Sequence, residues 1–190
     1  MLGADHMKPL VEYVARLRLR HPEWQVPDFD PADGGTKASI LFLAEKPGPM
    51  TDPERPGARK GSGFVSLDND DPTAETGFTF MAQAGIARCQ IVKWNVVPWW
   101  DGTRKIRARD LHSGVAEIRE LIGLLKRPLG VVLVGNKAQR AKPLLQGSGL
   151  RVFCSTHPSP IVKASNRAKW DQIPEQWRTA ALELGLPRCP

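Results

Sequence analysis

Apolar residues at Leu10, Val14 and Leu17 recur with helical spacing between Lys8 and Arg20. Pro22 and Pro27 then close off that helix. The run Ser39-Ile40-Leu41-Phe42-Leu43-Ala44 is continuously apolar, as a strand buried on both faces requires. Met50 to Gly63 is rich in Pro, Gly and Arg without periodicity and reads as a loop. Asp71-Pro72 offers an N-cap followed by proline at the first helical position. The helix predicted from there carries the apolar residues Phe78, Met81 and Ala82 and ends near Gly85. Cys89 to Val97 is strand-like until Pro98, and Thr103 to Arg109 is a basic loop.

From Asp110 onward, Leu111, Val115, Ile118, Ile122 and Leu125 mark the clearest amphipathic helix, which Pro128 stops. Val131 to Val134 is a short apolar strand leading into Gly135-Asn136. Asn136 is read as the cap of the next helix, with Gln139 at the reciprocal capping position. A fourth strand is expected over Leu150 to Ser155 and a last helix over Pro174 to Leu184. Strands alternating with helices predict an α/β fold with a parallel sheet covered on both faces. Neither a repeat nor a dividing linker is visible, so a single domain over 1–190 is expected.

Composition narrows the class. The chain of 190 residues is 41% hydrophobic and 25% charged, enough for a globular core. Its net charge of +7 favours a polyanionic partner, because Lys and Arg release counterions when they neutralise phosphates. No apolar run is long enough for a membrane span, and Met1 to Pro9 lacks the apolar core of a secretory signal. The three cysteines, Cys89, Cys154 and Cys189, form no C-x-x-C pair. They support neither zinc nor a disulfide framework, and are expected as reduced thiols in a cytosolic protein, the first two buried.

In a parallel sheet, chemistry collects beyond the carboxyl ends of the strands. Four segments fall there: Glu45-Lys46-Pro47-Gly48, with the following loop that carries Phe64; Asn95-Val96-Val97-Pro98-Trp99-Trp100; Gly135-Asn136-Lys137; and Thr156-His157-Pro158-Ser159-Pro160-Ile161. Each alone has a plain structural explanation. Their convergence on one edge argues for a site.

Three of these strings carry a resemblance. His157-Pro158-Ser159-Pro160 after the last strand, Glu45-Lys46-Pro47-Gly48 after the first, and Asn95-Val96-Val97-Pro98 between them resemble, in order and spacing, the motifs of the uracil-DNA glycosylase superfamily. The similarity spans roughly residues 40–170. It implies a three-layer sandwich with a central four-stranded parallel sheet flanked by helices. It also implies hydrolysis of the N-glycosidic bond of uracil in DNA after base flipping, leaving an abasic site.

The resemblance places His157 at the departing base, with Phe64, Asn95, Lys46, Pro47 and Gly48 around it, and the chemistry of glycosidic cleavage makes Glu45 the candidate catalytic carboxylate. An asparagine amide can donate to uracil O4 and accept from its N3–H, a pairing cytosine cannot match. Phe64 is similar to the aromatic on which the flipped base stacks. His157 would hydrogen-bond O2 as negative charge develops there, and Glu45 would support the oxocarbenium-like sugar and orient water.

Pro158, Ser159 and Pro160 are expected to grip a phosphate, with Ile161 as the apolar wedge that fills the vacated stack. Arg59, Lys60, Lys163 and Arg167 are candidates for neighbouring phosphates. Trp99 and Trp100 are candidates for DNA contact or core packing. Lys8, Arg16, Arg18 and Arg20 read as a solvated helix face.

The expected partners are uracil-containing DNA and the abasic product, for a monomer with no membrane and no obligate protein partner. The expected location is cytoplasmic, nucleoid-associated when DNA is bound. No cofactor or metal is expected, and three cysteines cannot hold the iron–sulfur cluster of one branch of the superfamily.

The sequence departs from the family at Lys46, where many members place Asp or Asn, and at Ala44, which replaces a glycine. Asp68-Asn69-Asp70-Asp71 offers other carboxylates. A non-catalytic binder of uracil or abasic DNA is therefore the alternative. An enzyme acting on free nucleotides fits less well, because no glycine-rich phosphate fingerprint follows the first strand.

Overall fold

The structure is a computed structural model, and it describes residues 1–54 and 60–187. Its main sheet has four parallel strands in the order β4-β2-β5-β6, where β2 is Ile40–Ala44, β4 Ile91–Asn95, β5 Gly130–Val134 and β6 Arg151–Ser155. A smaller parallel pair joins β1, Asp28–Phe29, to β3, Phe64–Val65. Dipeptides this short carry no alternation, and the pattern did not predict them. The helices are α1 (Lys8–Arg20), α2 (Pro72–Ala84), α3 (Ala108–Leu124), α4 (Asn136–Gln139), α5 (Pro160–Ser165), α6 (Arg167–Asp171) and α7 (Ile173–Glu183).

Two apolar layers sandwich the sheet, because alternate side chains of each strand point to opposite faces. Leu41, Leu43, Val92, Trp94, Val131 and Leu133 pack with α1 and α3 through Leu10, Tyr13, Leu17, Leu111, Val115 and Ile118. Ile40, Phe42, Ile91, Val132 and Val134 pack instead with α2 and α7 through Phe80, Met81, Ile173 and Trp177. This is the expected three-layer α/β sandwich. None of the described helices is long and apolar enough to cross a membrane.

Several local expectations are corrected. Phe78 is 51% exposed and Ala82 is also exposed, because α2 buries the stripe Ala74, Gly77, Phe80, Met81 and Ala84. Cys89 and Cys154 are exposed rather than buried: the first lies in the turn before β4, the second on the edge strand β6. Cys189 lies outside the described residues. Asn136 does not cap α4. That place falls to Gly135 at φ +94°, and the Gln139 amide donates to the Ser155 carbonyl (2.9 Å). By contrast, Asp71 caps α2 as expected, accepting from Thr73 N and Ala74 N.

From β2 the chain passes through α2 to β4 on one side, then returns through α3 to β5 on the other. The loops leaving β2 and β5 therefore diverge, and open sheets bind ligands in the crevice such a reversal creates.

Candidate functional site

Glu45 leaves β2 on one side of the crevice and Gly135 leaves β5 on the other. A Cβ placed on Gly135 would lie 2.9 Å from Glu45 Oε1 and 3.1 Å from His157 Cδ2. Together with its positive φ, this makes glycine the residue that lets carboxylate and imidazole close around one point. Nothing in the sequence pattern singled Gly135 out beyond its place at a strand end.

Glu45 Oε1 accepts from Lys137 N (3.3 Å), and its Oε2 lies 3.4 Å from Lys137 Nζ. Burial holds the His157 imidazole below its ordinary pKa. The Glu45 carboxylate opposes that shift, while Lys93, Lys137 and Arg104 reinforce it. His157 is accordingly neutral near pH 7, and the one N–H that a neutral imidazole keeps can donate a hydrogen bond.

The approach to His157 is firmly anchored. Ser155 O accepts from Gly135 N (2.8 Å), Ser155 Oγ accepts from Trp177 Nε1 (2.7 Å), and Thr156 N donates to Gln176 Oε1 (2.8 Å). Beyond it, Pro158 is buried and Ser159 caps α5 by accepting from Val162 N (3.4 Å). Pro160 is exposed at the first position of that helix, and Ile161 beside it is 70% exposed.

Asn95 ends β4 and pairs in register with Ala44. The ladder continues past it, as Val96 N donates to Ala44 O (2.9 Å) and Val97 N to Glu45 O (3.2 Å). Helix α3 presses on this segment at Gly114, where a Cβ would collide with the Val96 carbonyl. Asn95 is 3% exposed, and its Oδ1 is buried without a hydrogen-bond partner among the described residues. A buried acceptor left unmatched costs about 1–3 kcal/mol, so this one is an observation that asks for a ligand.

Phe64 is half-buried, and its carbonyl accepts from Asn69 Nδ2 (3.0 Å). Lys93, two residues before Asn95 on the same face of β4, donates to Ser66 O (3.4 Å) just beyond Phe64. Its ammonium end is buried, although the residue as a whole is half-buried, and burial lowers its pKa against the pull of Asp33, Asp71 and Asp30. Lys93 was not singled out from sequence; a lysine inside an otherwise apolar strand was the available signal.

Lys46 turns to the loop after β4: its side chain is 3% exposed and its ammonium pairs with Asp101. Burial would raise the Asp101 pKa, but the Lys46 hydrogen bond, the Thr103 amide and the Lys46 charge together outweigh it and hold the carboxyl below its usual range. Pro47 is buried and Gly48 half-buried beside it.

Of the basic candidates, Lys60 is exposed, and Lys163 and Arg167 both lie over the Trp170 ring (4.8 and 5.3 Å). Arg167 also pairs with Asp171 (2.8 Å). Arg59 lies outside the described residues. Trp99 is buried and stacked on Trp24 (3.7 Å), whereas Trp100 is half-buried. Among the described residues, no three His, Cys, Asp or Glu side chains are grouped to hold a metal.

Fold and crevice together define an α/β protein whose polar chemistry sits at the switch point of its sheet. The family model of the uracil DNA glycosylase superfamily matches residues 31–181, and the chain belongs to that superfamily. Membership brings with it the class of DNA glycosylases, hydrolases of DNA repair that bind DNA. No curated protein sequence matches the chain.

Proposed function

We propose that this protein flips uracil out of DNA and hydrolyses its N-glycosidic bond, leaving an abasic site. The observation that carries the reading is the buried, unmatched Oδ1 of Asn95 at the crevice end of β4. Uracil presents an N3–H to such an acceptor, whereas neutral cytosine presents a bare N3 and would leave both groups unsatisfied. A flipped base stacks on Phe64, and Pro158, Ser159 and Pro160 grip the backbone while Ile161 occupies the gap in the stack.

As the bond to the sugar lengthens, negative charge moves onto the base and positive charge onto the sugar. Neutral His157 donates to O2 of the departing base, where an added donor stabilises the developing charge without prior loss of a proton. Glu45, across Gly135 from His157, stabilises the sugar cation and accepts a proton from the attacking water. Lys46 stands in the motif position next to Glu45, but its ammonium is held by Asp101. That pairing favours a second reading, in which the crevice binds uracil or an abasic site in DNA without cleaving it.

Single-turnover reaction of a labelled oligonucleotide carrying one uracil, with EDTA present and alkali afterwards, separates the two. Strand scission confined to the uracil substrate is expected. Tight, salt-sensitive binding without scission would establish the binder instead. In the same assay Asn95→Asp should relax discrimination against cytosine, and an unchanged base preference would remove Asn95 as the reader.

A further inference from the structure

Three consecutive carbonyls in the loop between β4 and α3 each accept a hydrogen bond from a different cation. Lys137 Nζ donates to Arg104 O (3.2 Å), Lys46 Nζ reaches Lys105 O (3.5 Å), and Arg140 Nη1 donates to Ile106 O (3.3 Å). The loop is also braced from within. Asp101 accepts from Thr103 N (3.2 Å) besides pairing with Lys46, Thr103 Oγ1 accepts from Lys105 N (3.2 Å), and Ile106 is buried in the core.

With the backbone turned inward, Arg104, Lys105 and Arg107 are left exposed, and no carboxylate among the described residues pairs with them. The cations of α1 are treated differently: Arg16 pairs with Glu120, Arg18 with Asp28, and Arg20 with Glu117 and Glu120. Arg107 and Arg109 also open α3, where the helix macrodipole is already positive and the single Asp110 carboxylate, accepting from Arg107 N (2.9 Å) and 3.8 Å from Arg109, offsets only part of the charge. Positive charge gathered at such a place is unfavourable in the free protein and becomes favourable when an anion binds there. Lys137 Nζ lies 3.4 Å from Glu45 Oε2 and donates to Arg104 O, so the loop stands at the rim of the crevice.

We propose that loop 101–107 is a clamp for the DNA backbone, in which Arg104, Lys105 and Arg107 hold phosphates while Lys46, Lys137 and Arg140 fix the carbonyls that shape it. Lys46 thereby has a role that the usual Asp or Asn of its motif could not fill: it anchors the clamp to the segment that carries Glu45. Lys137 does the same from the other side, since it joins the Glu45 carboxylate to the Arg104 carbonyl. The proposal rests on DNA as the partner, but not on uracil as the base removed.

The test is binding to a uracil-free duplex, followed by fluorescence anisotropy across a salt series. Removing one phosphate-binding cation should reduce the slope of log K against log salt by about 1. Arg104→Gln/Lys105→Gln/Arg107→Gln should therefore flatten the slope by about 2–3, whereas Arg16→Gln/Arg20→Gln, which removes two paired charges, should leave it unchanged. Lys46→Met removes no exposed charge. It should weaken binding by loosening the loop while keeping the slope within about 1 of the parent.

An unchanged slope in the triple variant, or equal flattening in the α1 variant, would overturn the clamp. Parental affinity in Lys46→Met would overturn its anchoring role. Because the probe contains no uracil and nothing is cleaved, failure of the excision reading leaves this result intact.

Discussion

Strand β4 begins and ends in buried polar chemistry, and the two ends are arranged in opposite ways. At its entry, Arg88 pairs with Asp30, Asp33 (3.2 Å) and Asp68 (2.6 Å), Asp33 accepts from Lys93 N (3.2 Å), and Ser66 Oγ donates to Asp30. Every carboxylate there has a partner. The network fastens the β1–β3 pair and its flanking segments to the main sheet. At the exit, Asn95 keeps an acceptor unmatched, and His157 and Glu45 face each other across a glycine. Buried charge with all partners in place serves structure, whereas buried polarity left open serves a ligand. The difference makes the exit readable as a site without any bound molecule.

The most severe test of this contrast is His157→Ala. Removal of one donor to a developing anion should slow single-turnover excision by on the order of 10²–10³, with little change in urea stability. An unaffected rate would remove His157 from the chemistry. Arg88→Met should do the reverse. It leaves carboxylates buried without their cation and should lower the unfolding free energy by about 3 kcal/mol in urea titrations, while an unchanged midpoint would mean the network carries no stability.

A smaller effect tests the same network through pH. Burial, with Asp30 adding to it, pushes the Asp33 carboxyl up to about 6, above the ordinary aspartate range. A carboxyl whose folded pKa is raised stabilises the protein most below the unfolded value and loses that contribution as pH rises through the folded one. Going from pH 7 to pH 5, Asp33 should therefore add about 1 kcal/mol of stability. Asp33→Asn should lack this increment when both proteins are unfolded at the two pH values. Equal pH dependence would place the titration elsewhere.

The mildest test joins the two ends. Lys93 helps keep His157 neutral, so Lys93→Gln should move the acid limb of the rate profile to higher pH, and Lys93→Arg should hold it in place. Identical profiles for all three would separate Lys93 from the imidazole.

Much of the architecture was legible because it repeats. The apolar runs of β2 and β5, the 3.6-residue stripe of α3 and the Asp71-Pro72 cap each depend on neighbours in sequence, and the structure has them where the pattern predicted. The short pair β1–β3 was not legible, because residues 28–29 and 64–65 meet only after the chain has folded. The exposure of Phe78 and of the cysteines depends on which helix face meets the sheet and which strand falls at its edge. The cap at α4 departs from the local pattern for a similar reason. Asn136-x-x-Gln139 has local capping spacing, but Gln139 finds a better acceptor in Ser155 of the adjacent strand.

The linear pattern specified the alternation of strands and helices, the surplus of positive charge and the three motif strings at strand ends. These are short-range properties, set by periodicity and by side-chain chemistry. Tertiary structure chose which groups face one another: that Gly135 closes Glu45 on His157, that Lys46 turns to Asp101, and that Lys93 reaches the Ser66 carbonyl from within a strand. Such pairings depend on the strand order β4-β2-β5-β6, which brings residues tens of positions apart within hydrogen-bonding reach. Charge and hydrogen bonding act over a few ångströms in space, and distance along the chain does not specify them.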